Sequence, residues 1–204
     1  MAVTPLCRPN TALTAHLPDG TVLGLRPLQD GDRASVLDVF ARMSDRSRYL
    51  RFLSPVPRLS ESMLRLLTTL DDRDRVAWAA YDGTRCVAIV RYARWASRPE
   101  TADLAVAVVD SLHRRGLGRV LLGVLAAAGA PRGIEAFTVT VHPENRASLA
   151  LLRSFGVHLR LVDGVYEGRL PVAAVLADER VRQQVDLAAV QAAGGARPLT
   201  PVAA

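Results

Sequence analysis

The sequence predicts one mixed α/β domain, a sheet with antiparallel and parallel parts flanked by helices, on three observations. Strand-like and helical segments alternate only in the second half of the chain, which excludes a fully parallel sheet. Two Asp-Gly pairs, Asp82-Gly83 and Asp163-Gly164, each separate strand-like runs, as tight hairpins require. The stretch "HRRGLGRVLLGVLAAAG" (113–129) sets a glycine turn directly before a long aliphatic helix. At 204 residues, half of them hydrophobic, the chain is long enough to bury a core without disulfide or metal staples.

Residues 1–18, with scattered Pro, Thr and Asn, read as a flexible lead, and "TVLGLRPL" (21–28) as a first strand. Val36, Leu37, Val39 and Phe40 give 29–43 a helical stripe. Ser44 and Ser60 stand where N-caps are needed for helices over 44–53 and 60–70, with the Pro55 and Pro57 break between them. "RVAWAAYD" (75–82), "RCVAIVRYARW" (85–95) and "TADLAVAVVD" (101–110) form a three-strand meander. The helix at 117–129, a strand at 134–142, a helix at 145–155 and a hairpin at 157–172 complete a domain over 19–172. Beyond it, 173–204 reads as one weakly apolar helix, to about 192, and a disordered tail.

A helix N-terminus offers unpaired N–H groups and the positive end of the dipole, and glycines let the backbone approach a phosphate. Gly116 and Gly118 at the start of the 117–129 helix, with Arg114, Arg115 and Arg119 around them, suit a diphosphate. A tight turn with no ligand is the plainer alternative. Two other phosphate motifs fail: Val120 and Leu121 stand where a dinucleotide fingerprint needs glycine, and Val124-Leu125 where a P-loop needs Lys-Ser/Thr.

"HRRGLG" after a strand and before a helix resembles the pyrophosphate loop of the GNAT N-acetyltransferases, Gln/Arg-x-x-Gly-x-Gly/Ala, and "NRASLALLRSFG" (145–156) resembles that family's last helix. The likeness runs over about 20–171 in the right order of elements. "SRYLRFL" (47–53), "LSESMLRLLTTLDDRDRVAWAAY" (59–81), "AIVRYAR" (88–94) and "TADLAVAVV" (101–109) look most like bacterial protein-lysine acetyltransferase domains. The resemblance implies the acyl-CoA N-acyltransferase fold, whose central mixed sheet is splayed. The strand Leu104–Val109 would part from its neighbour near Phe137–Val141, and the pantetheine arm of acetyl-CoA would lie between them on backbone groups of Val106 and Val108. The pyrophosphate would take N–H groups of Arg114, Arg115, Gly116, Leu117, Gly118 and Arg119, Asn145 stands where the family's pantetheine-contacting asparagines sit, and Ser148 is a further cofactor contact.

The acceptor amine must lose a proton to attack a thioester, and the subgroup's acidic position falls on Asp103, with Glu100 and His142 in reserve. Arg48, Tyr49 and Arg51 lie where the family walls its acceptor site, although helix-surface arginines are more often structural. The sequence departs from the family's pattern at three positions. Asp103 is one methylene shorter than the usual glutamate, which calls for a bridging water. Leu152 stands where many relatives have a thiolate-protonating tyrosine, and His113 replaces the loop's first Gln or Arg.

The resemblance thus implies direct acetyl transfer from acetyl-CoA to a primary amine, favourably a protein lysine. A small-amine acetyltransferase and a non-catalytic acyl-CoA-binding regulator stay open. An acidic acceptor cleft would favour small cationic amines, and an open groove a protein. The net charge of +6 rests wholly on arginines, since the chain has no lysine, and they are spread along the sequence rather than clustered as in a duplex binder. Cys7 and Cys86 make neither a disulfide framework nor a metal spacing, no His/Cys/carboxylate grouping suggests a metal, and nothing resembles a signal peptide or a membrane span. A reduced, cytoplasmic protein is the expectation, with oligomeric state open.

Overall fold

The computed structural model describes residues 13–195. Eight strands form one sheet: β1 (Leu13–His16), β2 (Val22–Pro27), β3 (Arg75–Asp82), β4 (Arg85–Trp95), β5 (Arg98–Val108), β6 (Ala136–Val141), β7 (Arg160–Val162) and β8 (Val165–Pro171). Their order across the sheet is β1-β2-β3-β4-β5-β6-β8-β7. Every neighbouring pair is antiparallel except β5 and β6, which run parallel, so the sheet is mixed as the alternation predicts.

The helices are α1 (Arg33–Ala41), α2 (Asp45–Phe52), α3 (Glu61–Thr68), α4 (Leu117–Gly129), α5 (Arg146–Ser154), α6 (Val172–Leu176), α7 (Glu179–Gln184) and α8 (Leu187–Gly195). Local chemistry sets several of their ends. Ser44 accepts from the Ser47 N–H and Ser60 from the Met63 N–H, so both expected caps form. Helix α4 is the centre of the core, with Val120, Leu121, Val124 and Leu125 at most 0% exposed, against the α6–α8 segment on one side and the sheet on the other.

Two expectations are corrected. Residues 13–16 lie inside the stretch read as a flexible lead, yet they pair with β2, because Leu13, Ala15 and Leu17 alternate with Thr14 and His16 and turn inward. The single helix expected over 173–192 is three. Asp178 breaks it and caps α7 by accepting from the Val181 N–H, and Asp186 accepts from Ala188 and Ala189 at the start of α8. A bridge between Ala15 and Val185 then fastens this segment to the sheet's β1 edge. Residues 1–12 and 196–204, the rest of the lead and tail, lie outside the described residues.

The α4–α7 contact depends on a missing side chain. A Cβ placed on Gly123 would sit 2.2 Å from Val181 Cγ1, and a β-branched neighbour has little rotamer freedom to move away. Gly123→Ala is therefore expected to destabilise the fold. Overpacking of about 1–3 kcal/mol outweighs a helix-propensity gain of about 1 kcal/mol. Thermal melts check this: Tm should fall in Gly123→Ala and recover in Gly123→Ala/Val181→Ala relative to Val181→Ala alone. A Tm that rises in the single variant would refute the contact.

Candidate active site

The site starts where two parallel strands separate. β5 pairs with β6 at Thr101–Ala136, Ala102–Phe137 and Asp103–Thr138, and pairing stops there, although β5 continues to Val108 and β6 to Val141. Beyond Asp103 every β5 residue is half-buried, as expected for a strand that has lost one neighbour. On its other side β5 keeps its full antiparallel partner, with Val109 N–H donating to Val87 O at 3.0 Å. Antiparallel pairing alternates, so the odd residues of β5 bond to β4 and the even ones, Val106 and Val108, turn their N–H and C=O into the gap. The splayed opening expected of the fold is present, with those two residues on its wall. One group there is already engaged: His113 Nε2 lies 3.0 Å from Val108 O.

At the far end of the gap the chain forms a short 3-10 turn, Asp110–Leu112, and then the glycine loop. Gly116 is the N-cap of α4 at φ 90°, and Arg114 also has a positive φ of 61°. The N–H groups of residues 114–118 have no hydrogen-bond acceptor among the described residues, whereas Arg119 N–H donates to Gly116 O at 3.0 Å. Consecutive unpaired donors at the head of a 13-residue helix are the backbone chemistry that can hold an anionic group such as a pyrophosphate. Arg119 is the exception to the expected set, since its N–H is spent closing the first helical turn.

The arginine side chains around the loop do less than their charge suggests. Arg115 pairs with Asp19 and Thr21 on the β1–β2 turn, and holds the Asp19 carboxyl down at about 2. Arg119 pairs with Asp178 and donates to Ser154 Oγ at 2.6 Å, with its guanidinium over the Phe155 ring. Both brace the loop from behind. Arg114, exposed and without an ion pair among the described residues, is the one left for a phosphate.

Asp103 sits at the apex of the splay, directly across from Thr138. Partial desolvation raises its carboxyl above the ordinary aspartate value, while the charges of Arg51 and Arg91 and the neighbouring Thr138 hydroxyl pull it back. A raised pKa makes Asp103 a stronger base than a free aspartate. Trp95, 44% exposed, donates from Nε1 to the same Thr138 hydroxyl at 3.1 Å, which places an open aromatic surface beside the carboxylate. No residue pattern around Trp95 marks it as a site residue. Its place at the site follows from a β4 register that no local pattern reveals.

The reserve bases fare differently. His142 Nδ1 accepts from the Glu144 N–H at 3.2 Å, so that ring nitrogen is engaged within its own turn. Its ring packs edge-on against Tyr49, centroids 5.2 Å apart. Glu100 lies three residues upstream of Asp103, on the outer side of the last paired residues rather than in the gap. Asn145 caps α5, its side chain accepting from Ser148 N–H at 3.2 Å, so its oxygen is used within the fold and its amide nitrogen remains a donor. Ser148 is half-buried on the first turn of α5, and Leu152 is buried at 4% exposure, with no hydroxyl to offer.

The three residues placed at the acceptor wall differ in what they touch, and Arg48 has the structural surroundings expected of a helix-surface arginine. It donates from Nε to Phe40 O at 3.1 Å and from Nη1 to Asp45 and Pro57, so it is a strut between α1, α2 and the following loop. Tyr49 remains at the rim, 37% exposed. Arg51 lines a pocket of about 430 Å³, open mouth included, enclosed by α1–α3 and the faces of β4 and β5.

Helix α2 is fixed at this wall by Asp110, whose carboxylate accepts from Ser44 N–H (2.8 Å), Ser44 Oγ (2.7 Å) and Ser47 Oγ (2.6 Å). Against a desolvation that acts upward, these bonds hold its carboxyl below the usual range. The stabilisation is therefore present above the unfolded carboxylate pKa and lost as pH falls through the native one. Asp110→Ala is expected to lower Tm at pH 7, with the gap to wild type narrowing as pH falls towards 3. A gap of constant size would disprove the ionic anchor.

Comparison with known proteins agrees with this geometry. The profile of the acetyltransferase (GNAT) family matches residues 43–157, more than half the chain. The protein belongs to the GNAT acetyltransferase family. The GNAT domain of Streptomyces lividans PAT is 32% identical, with a TM-score of 0.72 over 78% of this chain and 95% of that one. An acetyltransferase of Pseudomonas aeruginosa is 29% identical over 144 residues, 69% of this chain and 77% of that protein. A cAMP-binding acyltransferase from Mycobacterium smegmatis shares the fold, at 22% identity and a TM-score of 0.62 over 89% of this chain and 52% of that one. The GNAT protein described here is thus an acyltransferase, and the family's cosubstrate is acetyl-CoA. Among the described residues no grouping of His, Cys and carboxylates could hold a metal, and no helix is long and apolar enough to cross a membrane. Cys86 is buried, its thiol pushed up to about 12 by desolvation, and so is unsuited to act as a nucleophile.

Proposed function

We propose that this GNAT protein transfers an acetyl group from acetyl-CoA directly to the ε-amino group of a lysine in another protein. The observation that carries the reading is the single track formed by the free N–H groups of 114–118, the open backbone of Val106 and Val108, and Asp103 at the apex of the splay. The loop would hold the pyrophosphate and the strand the pantetheine, which aims the thioester at Asp103. The neutral amine nitrogen attacks the acetyl carbonyl, the new C–N bond forms and the C–S bond breaks. The ammonium proton passes to Asp103 through a water, and the CoA sulfur leaves as thiolate. A thiol of pKa about 8.5 can depart without a protonating acid, so Leu152 does not forbid turnover. Holding amine and thioester side by side supplies much of the rate.

A protein acceptor is supported by the large apolar side chains left exposed on α2, α3 and β4, Tyr49 at 37%, Leu66 at 59% and Trp95 at 44%, and by the 32% identity to the S. lividans domain. Leu152 is what favours the second reading, an acyl-CoA-binding regulator without catalysis. A nucleic-acid partner is disfavoured because nine arginines are tied to carboxylates. We place the protein in the reducing cytoplasm.

The test is calorimetric titration with acetyl-CoA, CoA and NAD, followed by CoA release in the presence of lysine peptides. Binding of both CoA compounds but not NAD, with peptide-dependent release, is the expected result. Binding without release for any amine would favour the regulator, and no binding at all would reduce the glycine loop to a structural turn.

A further inference from the structure

The pocket beside Asp103 is apolar apart from two residues, Arg51 and Arg91. Arg51 Nε is buried with no hydrogen-bond partner. Neither guanidinium forms an ion pair with any described carboxylate, and the one hydrogen bond of Arg91 goes to Leu66 O at 3.2 Å. Burial lowers the pKa of both, Arg51 to about 10, and each also feels another cation, Arg91 in one case and Arg75 in the other. Asp103 is the carboxylate that both sense, so the charge there is two positive against one negative.

Arg51 also lies over the Phe52 ring, centroid 5.0 Å away, but partly desolvated cations with no carboxylate paired to them are costly, and a pocket built around them is completed by an anion. The same surplus charge bears on the acceptor. A bare diamine or polyamine arrives as a cation and is repelled by Arg51 and Arg91 before it reaches Asp103. An acceptor that brings a carboxylate next to its amine removes the repulsion, and pairs planar guanidinium with planar carboxylate, the geometry for which arginine is suited. This chemistry is distinct from base catalysis, because it acts on a part of the acceptor that does not react.

Resting on the acyl-transfer reading, we propose that Arg51 and Arg91 select the acceptor by an anionic group beside its amine. The acceptor is a lysine with an aspartate or glutamate close by in its own chain. A free amino acid, through its α-carboxylate, offers the same chemistry from a different source.

The test measures CoA release by the full chain with acetyl-CoA and blocked hexapeptides carrying one lysine flanked by Glu, Gln or Arg. Nα-acetyl-lysine and its amide, equal in amine and different in carboxylate, form the second arm. The expected order is Glu above Gln above Arg, with kcat/KM at least about tenfold higher for Glu than for Gln, chiefly in KM. Arg51→Met and Arg91→Met should each bring the Glu/Gln ratio close to one while acetyl-CoA affinity holds, and Arg51→Lys should keep part of it. A strong preference for Nα-acetyl-lysine over its amide, with no Glu effect in the peptides, would overturn the protein source. Equal rates on all three peptides and on both lysine derivatives, or a preference for Arg, would overturn the selection while leaving acyl transfer intact. No release with any amine, when acetyl-CoA binds, would overturn acyl transfer and the selection with it.

Discussion

Asp103→Asn lowers the rate of acetyl transfer by about 10²–10⁴-fold, the range for loss of a positioned general base, and leaves acetyl-CoA affinity unchanged. The carboxylate stands at the last paired position of β5, far along the gap from the loop that would grip the pyrophosphate. Stability separates this from a structural role. The native carboxyl is raised, so the folded state holds its proton more tightly than the unfolded chain, and stability falls as pH rises through that window. Removing the charge at pH 7 should then leave Tm unchanged or slightly higher. In the wild type, kcat/KM climbs with pH through a pKa above the ordinary aspartate value, and this limb disappears in the variant. Asp103→Glu, which restores the length usual in the family, should retain substantial activity. Full activity in Asp103→Asn, or a fall in Tm that accounts for the loss, would remove Asp103 from catalysis.

Gly116→Ala acts at the other end of the track. Gly116 holds φ 90°, and a Cβ there meets Pro18 Cδ at 3.0 Å, Pro18 Cγ at 3.3 Å and Gln184 Nε2 at 3.4 Å. A left-handed residue with a Cβ costs about 1–2 kcal/mol, and the proline ring that would have to yield is held by the β1–β2 turn. The loop either keeps its shape at that cost or shifts, and a shift misdirects the N–H groups of 114–118. Acetyl-CoA Kd should rise about tenfold or more, and Tm fall by a few degrees. Because the defect is in binding, kcat at saturating acetyl-CoA should suffer less than kcat/KM. Calorimetric titration beside a thermal melt decides: unchanged affinity would mean that the loop does not hold the cosubstrate.

The two residues also mark where sequence stopped being sufficient. Gly116 was legible because its reason is local: a turn with positive φ, free N–H groups and a helix, all within a few residues. The Ser44 and Ser60 caps and the two Asp-Gly hairpins were legible for the same reason. Asp103 was reached only through the family resemblance, since a lone aspartate in "TAD" carries no local signal.

What sequence could not decide were the pairings between distant segments. Arg48, Arg115 and Arg119 look alike as exposed cations, yet each is consumed as a brace, by Phe40 O, Asp19 and Asp178 respectively. Arg51, the penultimate residue of α2, is left with a buried, unpaired Nε beside Arg91 from β4. The short alternation of 13–17 became a strand only because β2 offered an edge, and Val185 joined it from the other end of the chain. The sequence by itself determined most of the element types, the Ser44 and Ser60 caps, the two Asp-Gly turns and the glycine turn at the head of α4, because those depend on backbone conformation and on hydrogen bonds a few residues long. Tertiary structure alone decided where the splay opens, which arginines remain unpaired and what surrounds Asp103, because those depend on strand register and on charges that meet only once the sheet is assembled.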